Sequence, residues 1–158
     1  MPRSTASVLF RAFPEEITFS ADEKRVIRTF ARTLSNCVVN RRPFVCVISD
    51  DAELRHLNGA FRGTNSATDV LSFPAPADAG DLGEMIISAQ RAEAQAREFG
   101  HGRADEIRIL MLHGLLHLSG MDHESDRGDM ARAEREWREK LGLPSSLIAR
   151  VTPSRSMR

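Results

Sequence analysis

The chain has 158 residues, 41% hydrophobic and 28% charged, a size and balance that fit one globular domain with a buried core and exclude a disordered or membrane-embedded chain. Lys plus Arg number 22 and Asp plus Glu number 22, so the formal net charge is zero. That excludes a general electrostatic pull toward nucleic acid, and any polyanion must be held by a local basic patch.

The N-terminal stretch has no continuous apolar segment, because Arg11, Pro14, Glu15 and Glu16 interrupt it. No run reaches the ~18 apolar residues of a membrane span. A cytoplasmic location and no membrane partner are expected. Ser7–Phe10 and Ile17–Phe19 read as short strands. Ser20 or Asp22 then caps a helix whose apolar residues Val26, Ile27, Phe30 and Leu34 recur at helical spacing. Arg25, Arg28 and Arg32 fall on another face and are expected to be solvated, a polyanion-facing stripe being the less favoured reading. Cys37 ends this helix and Cys46 lies in the next apolar run. With no CxxC present, both are expected to be small buried hydrophobes in a reducing compartment.

Phe44–Ser49 is apolar and β-branched and reads as a buried strand. Asp50 or Asp51 caps a helix to about Arg62. Thr68–Phe73 predicts a second strand, stopped by Pro74, and Glu84–Ser88 a third, after a loop over residues 74–81. Helices follow over 88–99, 104–118 and 127–141, ended by Gly100, Gly120 and Gly142. The whole is expected to be an α+β fold. It would form one domain over residues 1–158, a small mixed β-sheet packed with helices, with the tail after about residue 145 flexible.

The helix over 104–118 is apolar almost all round, which predicts burial. Within it, His113 and His117 stand four positions apart and so share one face. Gly120 permits a sharp turn, and His123 can fold back to the same point. This spacing equals the HExxHxxGxxH pattern of zinc peptidases, except that Gly114 replaces the Glu. Three neutral imidazoles suit one Zn2+ per chain, on the buried helix and the following turn, with a fourth position open to water. The bland reading, hydrogen-bonded core histidines, does not explain three at this spacing. His56 and His101 lie outside the pattern and are expected at the surface. The peptidase Glu is the general base, and Gly114 cannot take a proton. Asp122, Glu124 and Asp126 lie nearby and read as cap or surface groups.

Three further segments bear on function: Asn58-x-x-Phe-Arg62-Gly63, Thr68-Asp-Val-Leu-Ser-Phe-Pro74 and Leu82-Gly-Glu-Met-Ile-Ile-Ser88. Alone, they are a helix end and two strands. Together with the three-His string, and in the same order, they resemble the YbeY family of bacterial metal-dependent endoribonucleases, over about Phe44 to Leu143. Met121 stands where an aromatic is common and Glu84 where Asp is usual; neither is a ligand. The resemblance implies zinc-assisted cleavage of single-stranded RNA in ribosomal RNA processing, including the small-subunit 3′ end, and in ribosome quality control. It implies ribosomal particles or a ribosome-associated protein as partners. It also implies that Arg62 acts in the metal cleft, in catalysis and substrate binding, where a guanidinium suits the charge that builds on a phosphodiester. The alternatives are a zinc hydrolase of another bond, such as a peptide, and a non-enzymatic ribosome-assembly factor with structural zinc.

Overall fold

The computed structural model describes residues 6–11, 17–62, 69–76, 78–121 and 128–144, the side chains of residues 61 and 62 excepted. Its elements are β1 (Ala6–Phe10), α1 (Ala21–Cys37), β2 (Phe44–Ser49), α2 (Asp51–Arg62), β3 (Val70–Pro74), β4 (Gly83–Ser88), α3 (Ala89–Phe99), α4 (Arg103–Leu118) and α5 (Asp129–Leu141). The strands form one sheet in the order β1-β2-β4-β3. β1, β2 and β4 run parallel, and β3 runs antiparallel to β4, with Leu71 opposite Ile86 and Ser72 opposite Met85. The fold is α+β, as the order of elements predicts.

Alternation along the strands decides what each face meets. Val8, Cys46, Ile48, Met85 and Ile87 join the larger core with α1, α3 and α4. Val47, Leu71 and Ile86 face the other way, against Leu54 of α2. α4 lies at the centre of the larger layer, touching β3, β4, α1, α3 and α5. Ile107, Ile109, Leu110, Met111, Leu112, Leu115 and Leu116 are all buried. Burial of each such side chain contributes about 1.5–3 kcal/mol, which fixes α4 and whatever it carries.

Local signals set the helix ends. Ser20 Oγ accepts from the Glu23 N–H at 3.0 Å, and Glu23 Oε1 accepts from the Ser20 N–H at 2.9 Å, a capping box. So Ser20, not Asp22, is the cap. Asp50 Oδ1 accepts from the Glu53 N–H at 2.9 Å and starts α2. Gly100 and Gly142, both left-handed, end α3 and α5.

Several expectations are corrected. Residues 17–19 form no strand; Ile17 and Phe19 are buried instead by side-chain packing. The Phe19 ring lies 5.3 Å from that of Phe10, with the Arg103 guanidinium 4.2 Å from its centroid. Alternation there encodes inside and outside, without a ladder partner. Val26 sits at the rim of the buried stripe of α1 and is 39% exposed. Cys46 is buried, which pushes its thiol pKa up; Cys37 is exposed, because it falls off the inward stripe that Leu34 and Ser35 end. The flexible tail expected after residue 145 lies outside the described residues.

Candidate metal centre

His113 and His117 stand one turn apart on α4, their rings edge to face with centroids 4.9 Å apart. His113 is buried, at 7% exposure, while His117 is half-buried. Buried helix, shared face and proximity come out as the spacing predicts. Past His117, Ser119 closes the helix and Gly120 turns the chain at φ +107°, its N–H donating to the His117 carbonyl at 3.0 Å. Few side-chain-bearing residues adopt that conformation. His123, three positions on, lies outside the described residues, as do Asp122, Glu124 and Asp126. Among the described residues no three His, Cys, Asp or Glu side chains gather as a ligand set.

Sequence reasoning missed the carboxylate that holds His113. Glu134 of α5, 1% exposed, places Oε2 2.8 Å from Nδ1 of His113. An ionised Glu134 accepts a proton held on Nδ1, which leaves the Nε2 lone pair for coordination. Carboxylates commonly hold metal-binding imidazoles in this way. The signal was present in the sequence: Glu134 follows Met130 at i+4 and precedes Trp137 at i+3, so a charge stands on the apolar face of α5. Buried Met130 and the packing of Trp137 on the core confirm that this face is inward.

Gly114 has a packing reason. A Cβ built there would lie 3.0 Å from Met85 Sδ, 3.3 Å from Ser72 Oγ and 3.3 Å from Val70 Cγ2. Ser72 Oγ also donates to the Gly114 carbonyl at 3.2 Å. Residue 114 is thus where α4 rests on β3 and β4, and a longer side chain would run into the sheet.

The other two histidines differ from each other. His56 is exposed, as expected. His101 is not a surface residue: its side chain is 9% exposed, and Nε2 lies 2.6 Å from Oε1 of fully buried Glu106. It closes the α3–α4 turn over a carboxylate that burial would otherwise leave costly. Arg62 is the last residue of α2, which packs on the opposite sheet face from α4. Its side chain, and residues 63–68 including Thr68, lie outside the described residues. No helix among the described residues is long and apolar enough to cross a membrane.

The donor set fits a divalent metal with a preference for nitrogen: two adjacent imidazoles on a rigid helix, one of them held by a buried carboxylate.

The chain is similar over 146 residues, at 53% identity, to Endoribonuclease YbeY of Solibacter usitatus, with 92% of this chain and 95% of that protein covered. To Endoribonuclease YbeY of Nautilia profundicola it is 54% identical over 105 residues, covering 66% and 76%. In fold it is similar to the solution structure of TM1509 from Thermotoga maritima, with a TM-score of 0.56 and 24% identity over 85% of this chain and 88% of that one. Residues 14–142 match the family model described as Endoribonuclease YbeY, and the chain belongs to that family.

Proposed function

We propose that this chain is a zinc-dependent endoribonuclease that cuts single-stranded RNA during ribosomal RNA maturation, including the small-subunit 3′ end, and in ribosome quality control. One zinc per chain would be held by His113, His117 and His123 within a single domain working in the cytoplasm. The observation that carries the reading is the His113–His117 pair with Glu134 on Nδ1 of His113, in a chain of the Endoribonuclease YbeY family. Zinc bound there would supply Lewis acidity and lower the pKa of a bound water toward ~7.

The protein's own residues do the rest. α4 supplies two imidazoles already in register. Glu134 fixes the His113 tautomer. The turn at Gly120 would let the third ligand, His123, come from beyond the helix end. Arg62 is assigned to the scissile phosphate, where its planar fork can hold two oxygens as charge builds. The peptidase alternative is disfavoured by Gly114, since the position next to the first His faces β3 and β4. The test is to incubate metal-defined protein with single- and double-stranded RNA and analyse product ends. Endonucleolytic cuts in single strands that vanish in His113→Ala/His117→Ala are expected. Equal cutting by that variant refutes the assignment.

A further inference from the structure

We propose that the face of α1 bearing half-buried Lys24 and exposed Arg28 and Arg32 binds the sugar-phosphate backbone of RNA as a second contact beyond the metal centre. Naming RNA as the polyanion rests on the ribonuclease reading above.

The sequence segregates charge sharply here. From Lys24 to Ser49 there is no Asp or Glu, although the chain as a whole is neutral. Solvated helix faces usually interleave the signs to make i, i+4 pairs, and this protein does so elsewhere. Arg97 pairs with Glu93 at 3.1 Å, and Arg108 with Asp105. On α1 itself, Arg25 pairs with Asp22 at 2.8 Å. Lys24, Arg28 and Arg32 have no ion pair among the described residues. Lys24 Nζ and the Arg28 guanidinium instead stand 5.4 and 5.0 Å from the centroid of the Phe10 ring. An aromatic face steadies a cation without neutralising it.

The geometry suits a repeating anion. Positions i, i+4 and i+8 stay on one side of the helix and rise by about 6 Å per step, the scale of one phosphodiester unit. All three, with Ala21, Arg25 and Thr29, line one shallow groove that has no carboxylate in its wall. α1 packs directly against α4, which carries His113 and His117, on the same sheet face. An RNA strand carries a charge on every unit at this spacing, whereas an acidic protein segment matches it only where carboxylates alternate along an extended chain.

The experiment separates binding from cutting. In the His113→Ala/His117→Ala background, fluorescence anisotropy of a labelled single-stranded RNA gives Kd between 50 and 200 mM salt. Lys24→Gln, Arg28→Gln and Arg32→Gln together should raise Kd at least tenfold at low salt. They should also flatten the slope of log K against log salt by about 2, at roughly 0.7 per lost phosphate contact. Arg28→Lys/Arg32→Lys, which keeps the charge, should retain the slope. So should Arg97→Gln, whose residue is already ion-paired. Arg32→Gln alone should remove about a third of the effect, which covers failure of the triple variant to fold. An unchanged slope in the triple variant overturns the proposal, as does an equal loss in the lysine variant. So does loss of binding to a poly-glutamate probe with RNA affinity intact, which would mark the face as a protein contact. Failure of the wild type to cut RNA bears on the ribonuclease reading alone, because none of these outcomes depends on cleavage.

Discussion

Glu134 and Gly114 flank the histidine pair, one through a hydrogen bond and one through packing. Glu134 is buried, and its carboxylate meets Nδ1 of His113. Glu134→Gln keeps the shape but offers either an amide N–H or a weaker acceptor, so the Nδ1–H tautomer is no longer enforced. Zinc affinity should fall about 10–100-fold, the usual effect of removing such a partner. Competition with a chromophoric chelator measures that, and the ring nitrogen shifts of His113 in the metal-free protein should reveal mixed tautomers. Unchanged affinity together with a single tautomer would reduce Glu134 to a packing residue. Gly114 gives a different prediction. Gly114→Glu cannot recreate a peptidase base, because the new side chain starts within contact of Met85, Ser72 and Val70. Overpacking costs about 1–3 kcal/mol, and a carboxylate pressed on the sheet adds to that. The melting temperature should drop by several degrees, with no peptide cleavage by the zinc-loaded protein. A variant of wild-type stability that cuts peptides would overturn this account of the glycine.

At the scale of elements, α1 joins two parts of the fold through Glu23. Burial pushes the Glu23 carboxyl pKa up, but hydrogen bonds from Arg103 and the Ser20 N–H, with the Arg103 charge, outweigh it. The net pKa lies below the ordinary value. Arg103 reaches Glu23 Oε1 at 2.8 Å and Glu93 Oε1 at 3.0 Å, tying α1, α3 and α4 together. A depressed folded-state pKa means that the stabilisation is present above the unfolded-state pKa and lost as pH falls through the folded one. Wild-type stability should therefore decline below the ordinary glutamate range, and Glu23→Gln should flatten that decline while lowering stability at neutral pH. Denaturant midpoints measured across that acid range would show it; parallel curves would assign the acid loss to other groups. This tie was illegible in the sequence, because Glu23 and Arg103 lie 80 positions apart. Legible features were those with a local cause: a cap at Ser20 or Asp22, the helical spacing of Ile27, Phe30 and Leu34, and the paired histidines. The missed ones, from Glu134 on His113 to the burial of His101, were set by partners that only the assembled layers bring together. The Ile17–Phe19 segment shows the same limit: it reads as a strand, but its alternation buries Ile17 and Phe19 with no ladder partner among the described residues.

For the molecule as a whole, the zinc proposed here could act as reagent or as staple, and the distribution of the core favours the first. Small domains that depend on a metal for folding lack a sufficient apolar interior. This chain has one: Ile27, Leu34, Ile48, Met85, Ile87, Ile107 and Leu110 are all fully buried in one cluster joining α1, β2, β4 and α4. The histidine pair sits toward the C-terminal end of α4, and His113 is anchored there by Glu134. A staple would have to hold together parts that this cluster already joins. Chelation of the purified protein should therefore leave helix content and a single cooperative melt intact. Stability should fall only by the binding energy withdrawn, about 2.7 kcal/mol where free zinc had stood at a hundred times its Kd, and the melting temperature with it. RNA cleavage should disappear and return when zinc is added back. Circular dichroism and calorimetry of the stripped protein, paired with the cleavage assay, discriminate the two roles. Collapse of the cooperative melt on chelation would make zinc a structural element. Full cleavage by rigorously metal-free protein would remove it from the chemistry altogether. An intact fold without activity, restored by zinc, is the outcome that the buried core and the Glu134 anchor predict.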